Sequence, residues 1–164
     1  MNMEPMEIPA KVVNGMRITV GALVVGIVSF AVIVIGLRTQ IPAFAPEMTI
    51  IAYIGVAMLT LMVGLQFVVL PMTDASARKR IDPQSNDVAP WLAAWGGRTI
   101  TGCALLEGAA FMCLIGALLD GQPLGLIGGL AGAALMIVFH WPTVNKLREY
   151  AERQRERATM ERNG

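Results

Sequence analysis

Residues 99–119, TITGCALLEGAAFMCLIGALL, form an unbroken apolar run as long as a membrane-spanning helix, with one ionisable residue inside it, Glu107. Counted from Thr99, Glu107 lies roughly 12 Å into a hydrocarbon core about 30 Å thick. A carboxylate at that depth costs about 3 kcal/mol or more, so it must be protonated, paired or turned to a polar cavity. One helical turn away on its face stand Cys103, Ala104, Ala110 and Phe111. Three of these are small, which lets another helix come close.

Working outward, the composition agrees with a membrane class. Of 164 residues 55% are hydrophobic and 15% charged, and the mean hydropathy is +0.59. A net charge of +1 gives no global field for nucleic acid. The two cysteines, Cys103 and Cys113, share the Glu107 helix about 15 Å apart along its axis, too far for a disulfide within the chain. They read as small packing residues.

Three more spans follow the same logic. The first is 18–37, uncharged and rich in Val and Ile, which lipid forces into helix because every backbone group must be bonded internally. Arg38 closes it, and the two prolines of TQIPAFAPE separate it from the second, 49–70, which is expected to stop at Pro71. Tyr53 suits one interface of that span, and Thr60 and Gln66 are its polar residues. The fourth, 123–141, follows the third after only Asp120, Gly121 and Gln122, so the two form an antiparallel hairpin. Its Gly125, Gly128, Gly129 and Gly132 make overlapping GxxxG pairs that permit close helix packing. The chain therefore reads as all-α: a polytopic membrane protein of four transmembrane helices in two hairpins.

Outside the spans lie an amino-terminal tail (1–17), a middle loop (72–98) and a charged helical tail (142–164). The amino tail carries both acids and bases, and no A-x-A cleavage pattern follows the first apolar run, which is read as retained. An interfacial turn is expected near Ile8 to Val13. In the loop, Arg78, Lys79 and Arg80 cluster beside the membrane, with anionic-lipid attraction as a consequence. Trp91 and Trp95 are spaced as an interfacial anchor, Gly96-Gly97 suggests a bend, and Trp141 anchors the end of the fourth span. The carboxyl tail offers Arg148–Glu152, Glu149–Arg153 and Arg157–Glu161 at i,i+4 spacing, as a solvated helix would. With four spans, every Lys and Arg except Arg38 falls on one side, so both termini are expected in the cytoplasm.

An internal repeat is also legible. A shift of 82 residues sets Ile18-Thr19 on Ile100-Thr101, Ala22-Leu23 on Ala104-Leu105 and Gly26 on Gly108, with Val25 opposite Glu107. A shift of 71 sets Pro71 on Pro142. The pattern is that of a parallel duplication in which one half carries a carboxylate.

The segment RTITGCALLEGAAFMCLIGALL resembles the carboxylate-bearing helix of rotary ATPase proteolipids, the ion-carrying ring subunits, with Arg98, Ala104, Glu107 and Gly108 at the matching positions. The whole chain is similar to small four-span bacterial membrane proteins with an ALLEGAAF segment. The resemblance implies a bacterial cytoplasmic membrane, an ion- or proton-binding role for Glu107, and action in a homo-oligomer.

Glu107 thus has two readings: a proton or cation site, or a neutral carboxyl tying helices together. Measured from the cytoplasmic ends, Ser29 and Thr60 lie roughly 15 Å deep and Gln66 roughly 6 Å, which makes them candidate hydrogen-bond partners. His140 is an interfacial anchor or, less directly, a proton-exchange partner. No Ser–His or Cys–His pair, phosphate loop or zinc spacing is present, so neither an enzyme nor a cofactor or metal protein is expected. The runner-up function is a structural or assembly factor that binds another membrane protein through the glycine-rich face.

Overall fold

The computed structural model describes residues 8–40, 50–83 and 87–163. It is built from five helices, and among the described residues there is no strand. They are α1 (Ala10–Gln40), α2 (Ile50–Arg78), α3 (Ala89–Asp120), α4 (Pro123–His140) and α5 (Val144–Asn163). The first four are long and apolar enough to cross a membrane. Their outward faces carry Ile18, Val32, Ile54, Leu61, Phe67, Ile127 and Val138, all exposed. Such a belt is unfavourable against water and natural against lipid, so the protein is a multi-pass membrane protein in contact with a bilayer.

α3 is the central rod and touches all four other helices. Its inner face is built of Cys103, Ala109, Ala110, Cys113 and Ala117, all fully or almost fully buried. Side chains this small let the neighbouring backbones approach, so dispersion between close-packed atoms replaces the hydrophobic drive that lipid cannot supply. The four glycines of α4 all face α3. A Cβ on Gly125 would strike the Cys113 carbonyl and lie 2.7 Å from the Ala117 nitrogen; on Gly129 it would lie 2.5 Å from Leu114, and on Gly132 2.7 Å from Ala110. α2 approaches from the other side through Gly55, where a Cβ would lie 2.8 Å from Cys113 Cα. Cys113 is therefore clasped between two glycine contacts. Gly116, against the Ala52 backbone, and Gly102, against the His140 ring, complete the seam.

Each helix end has a local cause. Pro90 and Pro123 stand in the first turns of α3 and α4, where a missing N–H costs nothing. α3 ends on Gly121, whose positive φ of 74° is the left-handed terminus that glycine accepts without strain. The buried Asp120 carboxylate accepts from Gln122 N at 2.9 Å and, across the bundle, from Ala52 N at 3.0 Å, so it caps α2 from outside. Arg38 donates to the Gly121 carbonyl at this same end. Pro142 follows α4, and Thr143 Oγ1 accepts from Lys146 N at 3.2 Å to start α5. The start of α1, the end of α2, the start of α3 and all the Lys and Arg of α5 lie at the opposite, basic end, as Arg17 Nε donating to Pro142 O and the Asp74–Arg98 pair indicate.

Several expectations are corrected. The helices that carry the spans 18–37, 49–70 and 99–119 run well past these apolar segments, and the 72–98 loop is helical at both its ends. α1 already begins at Ala10 and carries on through Arg38. α2 does not stop at Pro71. It continues two turns further because Asp74 and Arg78 are tied to α3 and α5, which outweighs the proline penalty of about 3 kcal/mol. α3 runs unbroken through Gly96-Gly97. Most of the TQIPAFAPE connection lies outside the described residues.

Trp91 and Trp95 are not lipid-facing anchors. Trp91 is 1% exposed and packs with Ala151 and Ala158 of α5, while Trp95 is buried with Val13, Leu92, Leu147 and Tyr150. Trp141 is half-buried against the helix core. α5 is not a free solvated helix either. Its Leu147, Tyr150, Ala151, Gln154 and Ala158 are buried against the extensions of α2 and α3. Of its internal pairs Glu149–Arg153 forms at 3.0 Å, whereas Glu161 turns to Arg78 at 3.1 Å.

Candidate functional site

Glu107 is placed by the register of α3. The buried stripe of that helix runs through Cys103, Leu106, Ala110 and Leu114, and the exposed stripe through Ile100, Ala104, Gly108 and Ile115. Glu107 falls on the border between them and is half-buried. α1 runs parallel to α3 along this border. A crevice of about 40 Å³ lined by Val20, Leu23, Ile100 and Cys103 lies one turn below Glu107, on the basic side. One turn above, Phe30 meets Phe111 edge to face with centroids 5.3 Å apart.

The partners expected for Glu107 are elsewhere. Ser29 is exposed on α1, and Thr60 is exposed on α2, donating to its own Val56 carbonyl at 3.0 Å. Gln66 donates to Gly102 O at 3.1 Å, and His140 Nε2 donates to Gln66 Oε1 at 3.1 Å. No hydrogen bond or ion pair joins Glu107 to Gln66, Thr60, Ser29 or His140. The reason is angular: Gln66 and His140 meet α3 at Gly102, on its α2 and α4 sides, whereas Ser29 and Thr60 face outward from their own helices.

Gln66, expected as a partner of Glu107, and His140, expected as an interfacial anchor or proton-exchange partner, instead form their own buried station. A carbonyl oxygen only accepts, so this arrangement requires the Nε2–H tautomer of His140. Gly102 makes room for the imidazole, since any Cβ there would occupy the ring's place. The station ties α2, α3 and α4 together, where both a polar side chain and a helix carbonyl need partners.

One step nearer the basic end is a second, stronger station that the sequence did not announce. Asp74 is buried and accepts from Arg98 and, at 2.8 Å, from Tyr150 Oη. Arg98 also stacks on the Tyr150 ring, 5.8 Å from its centroid. Burial, and after it the hydrogen bond to Asp74, push the Tyr150 phenol well above its ordinary value of 10.0. The unfolded chain therefore loses this proton first. The contribution is fully present below about pH 10 and is lost as pH rises toward the folded value, at up to about 1.4 kcal/mol per pH unit. Tyr150→Phe is expected to cost about 1 kcal/mol at neutral pH and to flatten that alkaline loss. Thermal unfolding in detergent at pH 8 to 11, wild type beside variant, checks it.

Between these two stations opens a pocket of about 320 Å³, lined by Gln66, Phe67, Arg98, His140, Lys146 and Tyr150 among others. Comparisons with protein-family models, with curated proteins and with solved structures found no match.

Proposed function

We propose that the protein is a non-enzymatic integral membrane protein whose Glu107 is a proton- or cation-binding carboxyl, working where two copies of the chain meet in the bilayer. The observation that carries this reading is the combination of depth, a half-buried place on the outer border of α3, and the lack of a hydrogen-bond or ion-pair partner for Glu107 among the described residues. A group placed roughly 12 Å into the apolar layer, on the outer border of the bundle, has little to gain by staying ionised toward lipid. It takes up a proton, or a cation held jointly with a second chain. Ala104 and Gly108 are exposed beside it, and a Cβ on Gly108 would meet nothing within 4 Å. That flat surface admits a neighbouring helix.

The alternative of an assembly factor acting through its glycine-rich face has less support, because Gly125, Gly128, Gly129 and Gly132 are all packed inside against α3. The neutral-glue role likewise lacks a partner for Glu107 among the described residues.

Liposomes containing the protein, an entrapped pH dye and an imposed diffusion potential test the proposal. Wild type is expected to admit protons and Glu107→Gln, which keeps shape but cannot release a proton, is expected not to. Gly108→Leu is expected to leave the unfolding temperature of the monomer unchanged while preventing chemical cross-linking between copies. Equal proton entry by wild type and Glu107→Gln would refute the carboxyl's role; a wild type that stays monomeric in the bilayer would refute the shared site.

A further inference from the structure

The pocket at the junction of α2, α3, α4 and α5 carries basic groups that the two stations leave partly unused. Its basic residues are Arg98, Lys146 and Arg153, and no acid lines it. Asp74 occupies only one side of Arg98: the arginine side chain remains 33% exposed while its partner is 6% exposed. Arg153 gives two nitrogens to the exposed Glu149, Nε to its carbonyl at 3.1 Å and Nη2 to its carboxylate at 3.0 Å, and keeps its remaining nitrogen for the pocket. Lys146 Nζ donates to the Val138 carbonyl at 3.3 Å and pairs with no acid among the described residues. His140 and Tyr150, whose ring N–H and phenol are already given to Gln66 and Asp74, form part of the buried floor. The opposite wall is apolar, made by Val63, Phe67 and Leu70 of α2 and Phe139 of α4. Phe67 is 74% exposed and belongs to the lipid-facing belt.

Position joins these two halves. His140 is the last residue of α4, and the pocket also touches Pro71, where the apolar part of α2 gives way to Thr73 and Asp74. The cations therefore stand at the depth where a bilayer's phosphates lie, and the apolar wall continues into the layer of acyl chains. We infer that this pocket holds the phosphate-bearing headgroup of an anionic lipid, with Lys146, Arg153 and the free side of Arg98 on the phosphate and the acyl stems against Phe67 and Phe139. A free phosphate compound shares the phosphate chemistry but would leave the apolar wall without use.

The test titrates the detergent-purified full chain with dioleoyl phosphatidylglycerol or dioleoyl phosphatidylcholine and counts retained lipid by native mass spectrometry. Wild type is expected to retain one phosphatidylglycerol at concentrations where phosphatidylcholine is lost. The double variant Lys146→Ala/Arg153→Ala is expected to weaken that retention about tenfold or more. Lys79→Ala/Arg80→Ala, which removes two exposed cations outside the pocket, is expected to leave it unchanged. Lys146 and Arg153 are both exposed side chains, and the single variant Lys146→Gln, weakened in the same direction, covers any loss of stability in the double one. Inorganic phosphate in millimolar excess is expected not to displace the lipid. Equal retention of the two lipids, or an unaffected double variant, would overturn the assignment; one-for-one displacement by phosphate would overturn the lipid in favour of a soluble phosphate compound.

Discussion

Gly125→Leu is expected to prevent the bundle from closing, at a cost of about 3 kcal/mol or more, beyond the usual range for an overpacked side chain. The added Cβ meets backbone, the Cys113 carbonyl and the Ala117 nitrogen, and backbone cannot swing aside as the end of a flexible side chain does. Gly55→Leu presses on Cys113 from the opposite side and is expected to behave alike. The controls are Gly64→Leu and Gly26→Leu, which sit in helices of the same bundle with nothing within 4 Å of the added carbon. Those two are expected to unfold with wild type or slightly above it, since leucine is a better helix former than glycine. Near-ultraviolet circular dichroism during heating in detergent distinguishes the two pairs. If Gly125→Leu melts with its controls, the close α3–α4 seam is wrong.

Asp74→Ala is the second large effect. It leaves Arg98 without its carboxylate and Tyr150 Oη without its acceptor at one stroke. Removing one partner of a buried pair strands the other charge; because Arg98 is one-third exposed, the cost is set at about 3 kcal/mol, the low end of such losses. The same change also loosens α2 beyond Pro71, since Asp74 is its tie to Arg98 of α3 and Tyr150 of α5 and leaves only Arg78 holding the continued helix to α5. Proteolysis after residue 72 should therefore accelerate, with Arg78 and Lys79 as trypsin sites, while the apolar part of the bundle remains protected. Tyr150→Phe, which keeps the ion pair, is expected to show neither the size of this loss nor the cleavage. Equal stability of Asp74→Ala and wild type would remove the station from the forces that hold α5 in place.

What the sequence made legible follows from lipid chemistry. Four apolar runs can only be helices in hydrocarbon, and the overlapping glycine pairs of α4 require a close neighbour. The depth of Glu107 came from counting residues. What it could not show is rotation about each helix axis. Whether Gln66 looks at Glu107 or at His140 depends on a few tens of degrees, and apolar helices with little contrast between faces do not declare them. Pro71 misled because a local stop signal was overridden by Asp74 and Arg78, whose partners lie far away in sequence at positions 98, 150 and 154. Trp91 and Trp95 misled for a related reason: the aromatic spacing that suits a membrane interface equally suits a core, and α5 supplied one.

The carboxyl of Glu107 at an outward, lipid-depth position is tested most directly by covalent labelling in liposomes with dicyclohexylcarbodiimide, which partitions into hydrocarbon and adds to protonated carboxyls. Peptide mass spectrometry reads the site. Labelling is expected at Glu107, and faster in Gly108→Leu than in wild type because no second chain covers the group. Labelling confined to acids outside the membrane, such as Glu149 and Glu161, with Glu107 unmodified in both chains, would contradict it.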